Sequence, residues 1–235
     1  MATAGVVAIA VLIAVAISAA GYWSYKREQA RRAALASFAG QHGFVLTQRD
    51  DQVLTRWDER DEPFDDGFDK RARQVMRGSW DGRPALLFDY RYHTWQTSTD
   101  SKGHTSRRKQ SHDLAITTLQ TEQRFPGLSV SPEGMFGRLV GRLANTDIQL
   151  EWEDFNRAFT VTCRDRRFAS DVLHQQMMEL LMRDQELAWM FNGPDIMTVR
   201  SGVHDPADLG PTLEQLDAIL DMVPEHVKQS DWSTS

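Results

Sequence analysis

The sequence predicts an α+β fold, in which an N-terminal transmembrane helix precedes a mainly antiparallel sheet with about three packed helices. Two observations carry this prediction. The chain opens on an uncharged segment, and its later apolar or alternating runs come in adjacent pairs with amphipathic stretches between them, not in strict alternation. We expect four segments: a transmembrane anchor over 1–25, a juxtamembrane helical stem over 26–43, a cytoplasmic α+β domain over 44–224 and a polar tail over 225–235.

The first segment is predicted to be a single membrane-spanning helix. Residues 2–23 carry no charge, and as a helix they are about 33 Å long, enough to cross the hydrocarbon core. Aromatic and then basic residues follow, as at membrane interfaces: Tyr22, Trp23, Tyr25, Lys26, Arg27, Arg31 and Arg32. A cleaved signal peptide would instead carry its positive charges before the apolar segment. We therefore expect a single-pass protein of the cell membrane, with its N-terminus outside and its main domain cytoplasmic.

A hairpin is the clearest prediction within the domain. The runs 85–95 and 110–120 flank a polar stretch centred on Lys102-Gly103, where glycine suits a tight turn. With a two-residue turn, the cross-strand pairs would include Tyr92 with Asp113 and His93 with His112, and a bulge in the hairpin would shift this register by one residue.

Helix and strand signals then follow one another to the C-terminus. The stem is predicted to end near Gly40 and Gly43. The later elements are a helix opening at Ser131-Pro132-Glu133, strands at 147–152 and 158–164, a helix capped by Asp165 that runs to Leu181, strands at 187–192 and 196–201 joined at Asn192-Gly193-Pro194-Asp195, and a last helix that starts near Asp205-Pro206 or Gly210-Pro211 and stops at Pro224.

Composition and motifs favour a protein without catalytic activity. The net charge of −6, with no basic face interleaved with aromatics, argues against nucleic-acid binding. The single cysteine, Cys163, excludes a disulfide scaffold and lies in an apolar strand pattern typical of packing. The nucleotide-binding, hydrolase and zinc-peptidase motifs are absent from the sequence.

His93 and His112, with His104 near the hairpin tip, are the best candidates for metal ligands. Because a third and fourth ligand are missing from the pattern, we expect no metal and no cofactor. The alternative is an enzyme or metal-dependent small-molecule binder that uses His93 and His112 in a cleft of the sheet.

The basic hairpin tip is the most suggestive surface, because an anionic leaflet or an acidic partner would attract it. The predicted contact residues at the hairpin tip are Lys102, Arg107, Arg108 and Lys109. Two further groups are predicted to make contact: the basic residues that follow the anchor, Lys26, Arg27, Arg31 and Arg32, and the aromatics Tyr90, Tyr92 and Trp95, which we expect to be exposed. The leading hypothesis is therefore a membrane-tethered cytoplasmic interaction or regulatory module. A structural subunit of a membrane complex is a further alternative, because alanines four residues apart in the anchor suit a homodimer or another helix contact.

Five sequence blocks resemble a family of small, single-pass, membrane-anchored actinobacterial proteins of unknown function. They are RPALLFDYRY at 83–92, VSPEG at 130–134, DFNRAF at 154–159, DRRFA at 165–169 and VLHQQMME at 172–179. The blocks occur in order over most of residues 70–225. The resemblance implies an anchored domain and an actinobacterial source, and it implies no catalytic residues.

Overall fold

A long helix leads into an eight-stranded antiparallel sheet in the computed structural model of the chain, which describes residues 2–59, 61–99, 105–133, 148–230 and 232, with side chains from residue 13 onward. The helices described are α1 (Ala2–His42), α2 (Glu153–Ala158), α3 (Arg166–Val172), α4 (Gln175–Arg183), α5 (Leu209–Met222) and α6 (Glu225–Lys228), and a 3-10 helix spans Asp51–Arg56. The strands are β1 (Val45–Arg49), β2 (Phe68–Trp80), β3 (Arg83–Thr99), β4 (Thr105–Gln120), β5 (Leu128–Pro132), β6 (Phe159–Cys163), β7 (Trp189–Asn192) and β8 (Asp195–Ser201). The α+β class is confirmed.

The first helix is continuous from the predicted anchor through the predicted stem. It ends where expected, at Gly43, whose φ of 73° suits a helix C-terminus. Over the side chains that are described, no helix contains an apolar stretch long enough to cross a bilayer.

The strands lie in the order β1-β2-β3-β4-β8-β7-β5-β6, and every neighbouring pair is antiparallel. Gly193 and Pro194 connect β7 to β8 as predicted. The β3–β4 pair continues beyond the rest of the sheet, because β2 pairs with β3 only as far as His93 and β8 pairs with β4 only from Leu114. The two strands then pair only with each other out to Thr99 and Thr105.

The hairpin register is shifted by one residue from the prediction. Tyr92 lies opposite His112, Arg91 opposite Asp113, and His93 opposite Ser111. The pairing is regular from Ala85 to Thr99, so no bulge causes the shift. Its cause is the connection between Thr99 and Thr105, which has an odd number of residues where a two-residue turn was predicted.

The two faces of the sheet bury separate cores. One core joins α1, through Leu35 and Ala39, to residues of α3 and α5 such as Phe168 and Leu213. The other places Trp57 and Phe64 against Phe88 and Tyr90 of β3, so the segment after the 3-10 helix covers this face. Tyr90, predicted to be exposed, is fully buried there.

Several predicted elements differ from the structure. The helix capped by Asp165 is divided into α3 and α4 at His174, which has extended backbone and whose Nε2 lies 3.1 Å from the carbonyl oxygen of Met222. The Asp165 cap itself is confirmed, with its carboxylate accepting a bond from the Phe168 amide. Ser131 lies in β5, and residues 148–152 form no strand.

The C-terminal part differs in detail. The last long helix begins at Leu209, with Gly210-Pro211 in its first turn, and it ends before Pro224. The predicted polar tail starts with α6, whose Val227 is fully buried. Lys102, His104 and the helix predicted beyond residue 133 lie outside the described residues.

Candidate functional site

The part of α1 that precedes Glu28 projects from the domain. Every residue from 13 to 27 is exposed, whereas Arg31, Leu35, Phe38 and Ala39 are half-buried or buried against the domain. The large exposed apolar and aromatic side chains are Ile13, Val15, Ile17, Tyr22, Trp23 and Tyr25, which are 54–68% exposed. The helix therefore consists of a docked C-terminal half and a projecting N-terminal half.

A buried polar network fastens the docked half to the sheet. The guanidinium of Arg31 donates to Oδ2 of Asp89 at 3.1 Å and to the carbonyl oxygen of His204 at 3.2 Å. Glu28, one turn earlier, accepts from Nε of Arg31 at 2.9 Å. Only 5% of the Asp89 side chain and 16% of the Arg31 side chain are exposed. We call Arg31, Asp89 and His204, with Glu28 and Thr117, the anchor joint.

His204, in the loop after β8, bonds to both Asp89 and Thr117 of the anchor joint. Its backbone N–H and its ring Nδ1 each lie 2.9 Å from Oδ1 of Asp89, and its Nε2 lies 3.0 Å from Oγ1 of Thr117. Both ring nitrogens are thus engaged, so the imidazole is fixed in position. The loop after β8 is thereby connected to β3, β4 and α1 at one point.

Electrostatics keep the Asp89 carboxyl ionised. Burial favours its neutral form, but hydrogen bonds from His204 and the nearby Arg31 charge favour the ionised form, and the pKa of Asp89 lies below its ordinary value. The hydrogen bond from Arg31 holds the pKa of Glu28 at about 2, with burial acting in the opposite direction. Both carboxylates therefore bear a negative charge beside Arg31 at neutral pH.

The order of Asp89, His204 and Thr117 resembles that of an acid, a base and a hydroxyl nucleophile. A nucleophile must reach its substrate, yet Thr117 is only 2% exposed. The adjoining cavity of about 120 Å³ is lined by Thr117, His204 and Arg200 among others. This geometry suits a structural joint better than an acyl-transfer site.

The second notable feature is the part of the β3–β4 hairpin beyond the sheet, which we call the basic arm and define as residues 94–99 and 105–112. The described arm contains Arg107, Arg108 and Lys109 and no acidic residue. The guanidinium carbon of Arg107 lies 4.8 Å from the ring centre of Trp95, which is 48% exposed. The arm thus combines an exposed aromatic ring with three exposed cations.

At its base the arm is held by one acidic residue and one aromatic ring. Lys109 Nζ lies 3.3 Å from Oδ2 of Asp69 and 5.4 Å from the ring centre of Phe68. The Phe68 ring in turn stacks on Trp95 with 5.2 Å between centres. These contacts fix the direction of Trp95 at the start of the arm.

The predicted contact residues occupy different environments. Lys26, Arg27 and Arg32 are exposed on α1, but Arg31 is directed into the anchor joint. Tyr92 is half-buried and stacks on His112 with 4.9 Å between ring centres. Of the predicted aromatics, Trp95 therefore offers the exposed surface.

The two histidines predicted as metal candidates do not meet. His112 lies opposite Tyr92, and His93 is the next residue along β3, so strand alternation directs the two rings to opposite faces. His112 Nε2 lies 2.8 Å from Oγ1 of Thr94. Within the described parts of the chain, no three His, Cys, Asp or Glu side chains come together as metal ligands would.

Cys163 and an open cleft beside α3 and α4 belong neither to the anchor joint nor to the basic arm. Cys163 is buried, and burial raises the pKa of its thiol to about 11, which makes it a poor nucleophile at neutral pH. A wider open cleft of about 830 Å³ beside α3 and α4 is lined by none of the predicted contact residues.

Sequence reasoning missed the anchor joint, although two signals were present. Arg31 falls on the same helical stripe as Leu35, Phe38 and Ala39, and a charge on an apolar stripe needs a buried partner. Asp89 continues the inward positions of Ala85 and Leu87 on β3.

Comparisons with known proteins show the fold and no family. No family model matches the chain, and no curated protein matches it. A crystal structure of the mycobacterial trehalose monomycolate transport factor A, TtfA, superposes with a TM-score of 0.56 and 15% identity, covering 83% of this chain and 94% of that one. At this identity the likeness shows a shared fold alone, and the mycobacterial source of that protein agrees with the actinobacterial resemblance noted above.

Proposed function

We propose that the chain is a membrane-tethered module that holds a non-catalytic interaction domain at the inner leaflet. The anchor joint is the observation that carries this proposal. This joint, in which 5% of the Asp89 side chain is exposed, ties α1 to β3 and to the loop after β8. A domain that must keep one orientation at a membrane needs such a joint.

The projecting half of α1 supports the tether. It is uncharged over residues 2–23, its described apolar side chains are exposed, and aromatic and basic residues follow in the order found at a membrane interface. Lys26, Arg27 and Arg32 lie exposed just inside that interface. By the positive-inside rule the domain is then cytoplasmic.

The surroundings of Thr117 and of the histidines support a role without catalysis. The hydroxyl in the anchor joint is buried, and His93 and His112 lie on opposite faces of the sheet. The neighbour of similar fold is named a transport factor, and an accessory role at a membrane is compatible with such a fold. We assign no cargo to this chain.

Protease protection in spheroplasts tests the proposed orientation. The full chain, with an epitope at its C-terminus, is treated with protease before and after lysis. We expect the epitope to survive in intact spheroplasts and to disappear after lysis. Digestion of the epitope in intact spheroplasts would contradict the proposal.

A further inference from the structure

We infer that the basic arm is a second membrane contact, in which Trp95 and Arg107 engage the headgroups of anionic lipids. This inference rests on the proposed function, because it requires α1 to enter the membrane. It adds a partner of defined chemistry and a defined surface.

The direction of the arm follows from the order of contacts along α1. Arg31 bonds to Asp89 in the middle of β3, whereas Phe38 and His42 contact Trp80, which pairs with Arg83 at the start of β3. Moving along α1 towards its N-terminus therefore means moving along β3 towards its C-terminus. The arm and the projecting half of α1 leave the domain on the same side.

The arm is long enough to reach the proposed interface. Trp95 lies six residues beyond Asp89, about 20 Å along an extended strand. Trp23 lies eight residues before Arg31, about 12 Å along a helix. Even inclined by about 45° to α1, the strand would bring Trp95 about 14 Å beyond the joint, at the level of the aromatic residues of α1.

The side chain of Trp95 lies on the same face of the sheet as α1. Trp95 and Asp89 are an even number of residues apart on β3, and the β3–β4 pairing is regular between them, so both side chains lie on the face that carries α1. Arg107 stacks on Trp95 from the same face. An exposed tryptophan beside cations is the combination that membrane interfaces favour.

Charge favours anionic headgroups over a neutral surface. Asp69 pairs with Lys109, but the structure shows no ion pair for Arg107 or Arg108 among the residues it describes. Each basic side chain near an anionic leaflet adds to the attraction, and Lys26, Arg27 and Arg32 are exposed on α1.

The experiment places a fluorescent probe on the arm of the full chain in lipid nanodiscs. The probe, NBD, is attached to a Ser98→Cys substitution, while the buried native Cys163 stays unreactive. The discs contain phosphatidylcholine alone or with about one third phosphatidylglycerol, and a spin label on the headgroup serves as quencher. We expect quenching at position 98 to be at least about twofold stronger in the anionic discs.

Two matched controls accompany this measurement. A probe at Gln41→Cys, at the far end of α1, should be quenched equally weakly in both discs. Reversal of three arm charges, Arg107, Arg108 and Lys109 to Glu, should abolish the difference at position 98. Reversal of three exposed charges elsewhere, Arg164, Arg167 and Arg183 to Glu, should leave it unchanged.

Each remaining outcome overturns a defined claim. If the chain enters the discs but position 98 is quenched no more than position 41, the inference is wrong and the tether stands. Equal quenching in both discs would exclude recognition of anionic headgroups. Capture of an acidic protein by the arm without quenching would assign the arm to a protein partner and overturn the inference. If the chain does not enter the discs, the proposed function fails first and the inference falls with it.

Discussion

At the residue scale, Asp89 decides whether α1 is held on the sheet. Its carboxylate accepts from Arg31 and twice from His204. Asp89→Asn keeps the shape of the side chain but leaves the Arg31 charge without its buried partner. We therefore expect the free energy of unfolding to fall by about 3 kcal/mol. Asp113→Asn, which breaks the more exposed pair with Arg91 on the neighbouring strand, should cost no more than about 1 kcal/mol. Urea unfolding of the full chain in detergent, followed by circular dichroism, measures both, and equal losses would contradict the central role of Asp89.

Glu28 makes the stability of the anchor joint depend on pH in the acidic range. Its pKa is held at about 2 in the folded chain by Arg31, below its ordinary value near 4.5. The stabilisation that the ionised Glu28 contributes is therefore complete above pH 4.5 and is lost as the pH falls towards 2. The difference in unfolding midpoint between the wild type and Glu28→Gln should shrink over this interval and stay constant from pH 5 to 7. A difference that does not change with pH would show that Glu28 makes no ionic contribution.

At the element scale, Phe44 and Gly78 fix the point where α1 passes into β1. A Cβ atom added at Gly78 would lie 2.7 Å from Cδ1 of the buried Phe44 ring, so the ring or the strand must move. We expect Gly78→Ala to destabilise the chain by about 2 kcal/mol. Gly40→Ala, in open space near the end of α1, should instead stabilise it by about 0.5 kcal/mol, because alanine favours a helix. Thermal unfolding compares the two, and a stabilising Gly78→Ala would contradict the packing.

Elements with a local cause were predictable, and those set by distant contacts were not. Gly43 ends α1, Asp165 caps α3, and Gly193-Pro194 turns β7 into β8, as their residue types predict. The break between α3 and α4 contains neither Pro nor Gly, and His174 at that break contacts Met222, which lies far along the chain. The hairpin was predictable but its register was not, because one residue more or less in the connection shifts every pair.

At the scale of the whole molecule, the sheet order and the anchor joint come from long-range packing. β4 lies beside β8, and β5 lies between β6 and β7, although each strand pattern is compatible with other neighbours. Arg31, Asp89 and His204 meet from three distant parts of the chain, so composition indicated their need for partners but not which partners they have. Arg31, predicted to contact lipid or a partner, donates to Asp89 and to the carbonyl oxygen of His204.

Alkaline extraction of membranes tests the tether most directly. We expect the full chain to stay in the membrane pellet after carbonate treatment. Val15→Arg with Ile17→Arg, which places two charges at about 3 kcal/mol each in the proposed span, should release it into the supernatant. Ala33→Arg with Ala34→Arg, on the exposed side of the docked half of α1, should leave the chain in the pellet. Release of the wild-type chain by carbonate would contradict a membrane-spanning α1.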